Sequence, residues 1–359
     1  MHGSVPPSRV APAPPSLRDV GQRVDARILG VLDVELARWE AVDPDLAEPL
    51  GSLRDLIAAG GKRLRPAFCH WAFVGAGGDP ADARVVDAGA ALELLHTFAL
   101  VHDDVMDGSD QRRGLPSVHK HFIDRHVGLG WQGDARRSGE GAAILVGDFA
   151  FVYADQILGE IPPAARAVFD ELRLELCVGQ YLDLVGTASG SRDAAQATRI
   201  ERYKSGKYTV ERPLHLGAAL AGADATVHDA LSAVGLPLGE AFQLRDDLLG
   251  VFGDSSVTGK PVGDDLREGK LTPLIAAAAA RGSVADQAGL ARVGAPDLSA
   301  GDVVAIQQIL IDSGAVAEIE DRITDRVAEA LGALDRAPIG AEARDALADL
   351  TRFAAWRDR

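Results

Sequence analysis

The chain has 359 residues, a net charge of -16, 47% hydrophobic residues and 5% aromatics. That charge argues against a nucleic-acid partner, and scarce aromatics beside abundant alanine, leucine and valine favour packed helices over a sheet sandwich. Two cysteines, Cys69 and Cys177, sit in apolar-periodic contexts without CxxC spacing and read as reduced core thiols of a cytoplasmic protein. No apolar run reaches about 18 residues, so no transmembrane segment is expected. The N-terminus lacks the basic-then-apolar pattern of a signal peptide.

Residues 1–15 are rich in proline and read as a disordered tail. No interior linker divides the rest, so residues 16–359 read as a single all-α domain. Amphipathic helix is expected over Leu17–Ala41, then a second helix to Ala59 that stops at Gly60-Gly61. One long helix is expected over 81–107, ended by Gly108. Gly128–Gly141 (GLGWQGDARRSGEG) reads as a loop. Helices follow over Ala142–Leu158 and after Pro162-Pro163, where proline suits a first turn, the latter running through CVGQYLDLVG. Helical patterns also cover 194–221 and 225–252. Residues 253–269 form a Gly/Asp/Lys loop, and helices fill the remainder with breaks near Gly282, Gly294 and Pro338. No segment alternates with period two between turn signals.

Chemistry concentrates at Ala91–Gly114, ALELLHTFALVHDDVMDGSDQRRG. On a helix Asp103 and Asp107 lie one above the other with Asp104 beside them. Three carboxylates at the end of an apolar helix repel one another unless cations neutralise them, and oxygen-only ligands suit Mg²⁺. A coarse echo appears at Glu240–Asp254, EAFQLRDDLLGVFGD, where Asp246 and Asp247 end a second apolar helix and Gln243 shares their face. Two such helix ends suggest a cleft with carboxylates on opposing walls, able to hold several divalent ions around one polyphosphate. The loop beyond supplies Lys260, Asp264, Asp265 and Lys270.

Cations come in groups beside glycine turns: Lys62, Arg63 and Arg65; Arg112-Arg113; Lys204 and Lys207 around Ser205-Gly206. Arginine forks match phosphate oxygens, and lysine acts as a movable point charge. Groups near the aspartates would share a metal-bound diphosphate; Lys62–Arg65, with no carboxylate nearby in sequence, would hold a second anion without metal. His96 lies on nearly the same face as Asp103, but a lone histidine there, like His102 and His119, reads more readily as a packed core group.

Together GGKRLRP, LVHDDVMDGSDQRRG, YKSGKYT, FQLRDDLLGVFGD and GKPVGDD resemble, in order, the trans-isoprenyl diphosphate synthases, or polyprenyl synthetases, over about residues 45–280. The variant is similar to actinobacterial geranylgeranyl diphosphate synthases. The resemblance implies the isoprenoid synthase fold, an all-α helical bundle around a deep central cavity, usually as a homodimer. It implies Mg²⁺-assisted condensation of isopentenyl diphosphate with an allylic diphosphate (dimethylallyl, geranyl or farnesyl), through three metal ions. It makes Asp103, Asp104, Asp107, Asp246 and Asp247 the metal-binding carboxylates. Lys62, Arg65, His96 and Arg113 would bind isopentenyl diphosphate. Arg112, Lys204, Lys260 and Lys270 would hold the allylic diphosphate, with Ser205 and Gln243 near the reacting carbons.

One departure from the family pattern removes a carboxylate: Gly250 stands where the second stretch commonly ends in aspartate, and Asp254 is either its substitute one turn on or a loop residue. In the family, residues four and five before Asp103 relate to product length. Here they are Ala99 and Phe98, a combination similar to that of twenty-carbon synthases. A class I terpene cyclase also uses aspartate-rich helices, but it handles one diphosphate and leaves Lys62–Arg65 and Arg113 without a task. Farnesyl or longer polyprenyl synthesis is the other alternative.

Overall fold

The computed structural model describes residues 13–189, 197, 199–200, 202–253, 262–270 and 272–357. Most of the proline-rich tail, together with Asp254 and Lys260, lies outside them. The chain order is α1 (Pro15–Glu40), a 3₁₀ turn (Pro44–Leu46), α2 (Ala47–Ala58), α3 (Leu64–Gly75) and α4 (Ala83–Asp107). A short antiparallel hairpin follows, β1 (Gln111–Arg112) with β2 (Leu115–Pro116), then α5 (Val118–Gly128), α6 (Ala135–Leu158) and α7 (Pro163–Ser189). A π-helical segment (Arg202–Glu211) leads into α8 (Arg212–Leu220) and α9 (Ala225–Phe252). The rest comprises α10 (Asp264–Glu268), α11 (Pro273–Arg281), α12 (Val284–Leu290), α13 (Ala300–Asp312), α14 (Ala315–Arg336) and α15 (Ala341–Ala355). The protein is all-α, as expected.

Local chemistry explains most boundaries. Asp82 caps α4 by accepting from the Arg84 amide at 2.8 Å, and Gly108, with φ 68°, ends it. α6 begins at Ala135, inside the stretch expected to be loop, because Asp134 accepts from the amides of Arg136 and Arg137. α5 and the hairpin were not anticipated. The hairpin turns through Arg113 (φ 54°) and Gly114 (φ 75°), the two positive φ values that a tight type I′ turn requires. Within the expected loop 253–269, Asp264–Glu268 closes one helical turn between left-handed glycines.

α4 is buried on every side from Ala88 to Leu95, the mark of a central helix. It packs most extensively on α6, while α3 packs on α8 so closely that a Cβ on Gly217 would lie 2.0 Å from the Cys69 carbonyl oxygen. One apolar core joins α1–α8, the end of α14 and α15; a second lies among α10–α14 with Ala355 of α15. α9 contributes Leu238 and Phe242 to the first and Leu244, Leu248 and Val251 to the second. Cys69 is a buried core thiol that burial pushes up, but Cys177 is exposed on α7, so only one of the two cysteines is interior.

By length and composition α4 and α6 could each cross a membrane, contrary to the expectation that no segment would. Each still carries a charged residue within its length, Glu93 in α4 and Asp148 in α6. The apolar part of α4 is instead largely covered by neighbouring helices, with 61% of its most apolar window buried.

The π-helical segment departs most from the expected continuous helix over 194–221. Its wide turns are wedged between α7 and α9. Gly179 of α7 leaves room for the backbone of Lys204, from whose nitrogen its Cβ would be 2.3 Å. Gly239 of α9 does the same for Gly206, at 2.6 Å from its carbonyl oxygen.

Candidate active site

The end of α4 is the centre of the charged network. Asp103 Oδ1 accepts from Lys204 Nζ at 2.9 Å and from Gln180 Nε2 at 2.8 Å. Lys204 also bonds Asp183 Oδ2 at 2.5 Å. One turn on, Asp107 faces Lys270 at 3.6 Å, and Lys270 in turn pairs with Glu268 at 2.5 Å and Asp265 at 3.4 Å. Asp104 points elsewhere: it is buried against Arg112 of the hairpin, whose Nε reaches its two oxygens at 3.0 and 3.2 Å. Arg112 stands 4.0 Å from Asp103, so one guanidinium serves both aspartates.

These contacts shift the pKa values in opposite directions. Burial alone would raise Asp103, but Lys204, Lys270 and Arg112 outweigh it and hold the carboxyl well below its usual range. Burial and then the charge of Asp103 push Asp107 up to about 6. For Lys270 burial disfavours the ammonium, yet Asp265, Glu268 and Asp107 raise its pKa well above the ordinary value. The site therefore holds lysine cations in place beside carboxylates of unequal basicity.

The second stretch forms the facing wall. Asp246 pairs with Arg357, which is buried beyond α15 and lies over the Phe242 ring at 3.9 Å. Asp247 accepts from Gln243 Nε2 at 2.8 Å. Arg245 points away and forks onto Glu320 at 2.8 and 2.7 Å. α9 stops at Phe252, with Gly253 extended, so the helix ends before Asp254. At Gly250, where a third carboxylate was missing, Asp265 fills the space: a Cβ there would meet its Oδ2 at 1.8 Å. Asp265 thus packs on α9 and pairs with Lys270, which reaches Asp107 on α4. That relay joins the two walls.

A second group of cations lies around His96. Arg65 donates to Thr209 Oγ1 at 2.7 Å and stacks on the Tyr208 ring at 4.3 Å. Arg113 donates to the Leu56 carbonyl at 2.9 Å. Burial first, then Arg65, Arg113, Arg112 and Arg63, hold the imidazole pKa of His96 well below its usual value. Arg65 Nε, His96 Nδ1 and the Tyr208 hydroxyl are all buried without a hydrogen-bond partner. Such polar atoms are costly to leave unpaired; ring contacts of Tyr208 with His96 and Arg65 group the three side chains, and an anion could accept from the donors among them. Lys62 is half-buried at the edge of this group.

Some expected residues fall elsewhere. Lys207 pairs with Glu175 behind the π-helical segment. Phe98 packs on Phe151 of α6, with ring centroids 5.0 Å apart, and on His102 at 4.6 Å; Ala99 is half-buried beside it. The backbone of Ser205 continues the π-helical segment between Lys204 and Gly206. Gln180, Asp183, Glu93, Tyr208 and Arg357 were not singled out from sequence. The first two sit three apart in CVGQYLDLVG, a polar pair on an apolar helix that could have marked them; Arg357 belongs to no motif.

The donor set fits magnesium. Among the described residues no three His, Cys, Asp or Glu side chains are grouped to hold a metal ion by themselves; magnesium takes one or two carboxylates and completes its shell with water and phosphate. Asp107 Oδ2 is buried without a hydrogen-bond partner, with the Lys270 ammonium 3.6 Å away. Asp103 and Asp107 on one wall, and Asp246 and Asp247 on the other, could supply ligands.

Comparison with known proteins gives the family. The polyprenyl synthetase family model matches residues 49–309. The chain is 34% identical over 330 residues to a geranylfarnesyl diphosphate synthase of Aeropyrum pernix, covering 88% of this chain and 96% of that one. It is 38% identical over 233 residues to a geranylgeranyl diphosphate synthase of Mycobacterium tuberculosis, covering 63% and 61%. The structure superposes with a TM-score of 0.88 on a geranylgeranyl pyrophosphate synthase of Corynebacterium glutamicum complexed with isoprenyl diphosphate and magnesium, at 35% identity and 96% and 99% coverage. The chain belongs to the polyprenyl synthetase family and is a trans-prenyltransferase that elongates isoprenyl diphosphates.

Proposed function

We propose that the chain condenses isopentenyl diphosphate with dimethylallyl, geranyl and farnesyl diphosphates to give geranylgeranyl diphosphate, acting in the cytoplasm as a homodimer with three Mg²⁺ ions. The observation that carries the reading is the presence of two chemically different anion sites. One is lined by carboxylates and lysines, the other by arginines, a neutral histidine and buried donors without partners. A class I cyclase has no use for the second.

Asp103, Asp104, Asp107, Asp246 and Asp247 are assigned to metal binding, directly or, for Asp104, through Arg112. Bound magnesium supplies charge neutralisation to the leaving diphosphate. Lys204, Lys270, Lys260 and Arg112 hold that diphosphate as the allylic C–O bond breaks. Lys62, Arg65, His96 and Arg113 hold isopentenyl diphosphate so that its double bond faces the allylic carbon. The π-electrons form the new C–C bond, and the proton then lost passes to the departed diphosphate. Ser205 and Gln243 line the reacting carbons, and the apolar walls exclude water from the cation.

The homodimer reading rests on an apolar stripe of α7, Leu174, Val178, Tyr181 and Val185, flanked by Leu145 and Val152 of α6; all six are exposed. Tyr181→Asp with Val178→Asp should give monomers in analytical ultracentrifugation where the parent chain sediments as a dimer. A monomeric parent chain would remove the reading.

Asp103→Ala and Asp246→Ala should each lower kcat by at least about a hundredfold, because each removes charge stabilisation realised in the transition state. Magnesium titration of turnover counts the ions, and near-normal turnover in excess chelator would discard metal assistance.

Gly250→Ala should reduce kcat/KM at least about tenfold by pushing Asp265 off α9 and Lys270 off Asp107. Asp254→Asn should have a mild effect, since α9 ends before it. The reverse ranking would make Asp254 the missing carboxylate.

Product length depends on the wall below Asp103. If Phe98 narrows the path of the growing chain, Phe98→Ala should shift products to twenty-five carbons and beyond, and Ala99→Phe should shorten them. Chromatography of products from each allylic primer reads the result. An unchanged spectrum in both variants would place the floor elsewhere and leave Phe98 as packing for Phe151.

A further inference from the structure

Among the described residues, Arg63 and Arg113 are the non-glycine residues with left-handed backbone, at φ 53° and 54°. That conformation costs energy for a side chain bearing a Cβ. Arg113 occupies the first position of a hairpin turn that glycine or asparagine would fill more comfortably, and Arg63 precedes the first turn of α3. The two lie in separate segments, yet both guanidiniums converge on one carboxylate. Arg63 Nη1 meets Glu93 Oε1 at 2.5 Å, and Arg113 Nη2 meets the same oxygen at 3.5 Å. Both are also tied to the end of α2, Arg63 through the Ile57 carbonyl at 2.8 Å and Arg113 through the Leu56 carbonyl at 2.9 Å.

Gly61 makes the convergence possible. A Cβ there would stand 2.4 Å from Arg63 Nη1 and 3.0 Å from Arg113 Nη2. Arg63 has its remaining edge on Asp25 at 2.6 Å, so its fork is taken up by the protein. Glu93, 2% exposed, lies on α4 one turn before His96 and so directly behind the arginine-rich anion site.

We propose that Glu93 is a positioning residue for the metal-free diphosphate site: with Arg63 as its fixed partner, it holds the Arg113 guanidinium in register with Arg65 and His96. The inference rests on the reading that those three groups bind isopentenyl diphosphate. Without a carboxylate behind them the arginines would repel one another in a buried setting. Glu93 offsets that repulsion from the side away from the ligand and leaves net positive charge facing it. A guanidinium held in a fixed plane makes two parallel bonds to phosphate that a freely rotating one makes less often.

The test is steady-state kinetics with each substrate varied in turn. Glu93→Gln should raise KM for isopentenyl diphosphate about tenfold or more while leaving kcat and the allylic KM within about twofold, the pattern of a lost ground-state binding contact to one substrate. Glu93→Asp, which keeps the charge, should recover part of the loss. Gly61→Ala changes no charge and displaces the same guanidiniums. It should show the same substrate-selective rise, and it decides the question if Glu93→Gln does not fold. Equal changes in both KM values, a fall in kcat alone, or a lowered KM for isopentenyl diphosphate would overturn the proposal. Arg65→Gln separates the two levels. If it too leaves that KM unchanged, the site reading fails and this inference with it. If it alone raises the KM, only the role of Glu93 fails.

Discussion

Two carboxylates one turn apart on a buried helix cannot both stay ionised without cations brought to them from elsewhere in the chain. Asp103 and Asp107 are that pair, and their different basicities show how the constraint is met. Lys204 lies against Asp103 at 2.9 Å and holds it deprotonated, while Lys270 stands 3.6 Å from Asp107 and leaves it elevated to about 6. Each lysine depends on a distinct piece of architecture. Lys204 is delivered by the π-helical segment; Lys270 follows α10, whose Asp265 is seated against Gly250. The positions of α7, α9 and the loop before α11 follow from placing two cations beside two neighbouring acids.

That requirement explains why small residues occur where helices meet this region. Gly179 and Gly239 admit the backbone of Lys204 and Gly206 from opposite sides, and Gly235 admits Glu211 at 2.8 Å from its Cα. A regular α-helix over the same span would have a narrower turn and a different phase. The π-helical turn changes which residues share a face, so Lys204 points to Asp103 while Lys207 points to Glu175. Removing any of these glycines would leave the charges unchanged and still move them.

The all-α architecture, the long aspartate-bearing helix and its stop at Gly108 were legible because they rest on local rules: apolar periodicity, caps and a glycine able to adopt positive φ. Asp103, Asp107, Asp246 and Asp247 stood out as candidates because each apolar helix ends in an acidic cluster. What was not legible depends on distant partners. Nothing around Asp104 indicates that Arg112 would take it out of line with its neighbours. Nothing around Gly250 shows that Asp265, fifteen positions on, would occupy its side-chain space. The π-helical segment looks like ordinary helix in sequence, since its composition is unremarkable and only packing against α7 and α9 widens it. Arg63 was legible as a cation but not as one committed to Asp25, Glu93 and the Ile57 carbonyl.

The two anion sites differ in how they compensate charge, and that difference bears on selectivity. On the proposed assignment, a diphosphate at the aspartates would face acids as well as lysines and would be attracted only when divalent ions reverse the sign of the carboxylate wall. Around His96, arginines outnumber the acids behind them, so a diphosphate is attracted directly. Two substrates with the same headgroup can then be sorted by whether they bring metal, before any difference in their hydrocarbon tails is read. On the same assignment the sorting would set the direction of reaction: the residues of the metal site would stabilise the leaving charge of one substrate, and the other would keep its headgroup as the product's. A single positive pocket for both would bind them equally well and lose this distinction. The separation between Lys204 with Lys270 on one side and Arg65 with Arg113 on the other is therefore as much a part of the chemistry as the aspartates themselves.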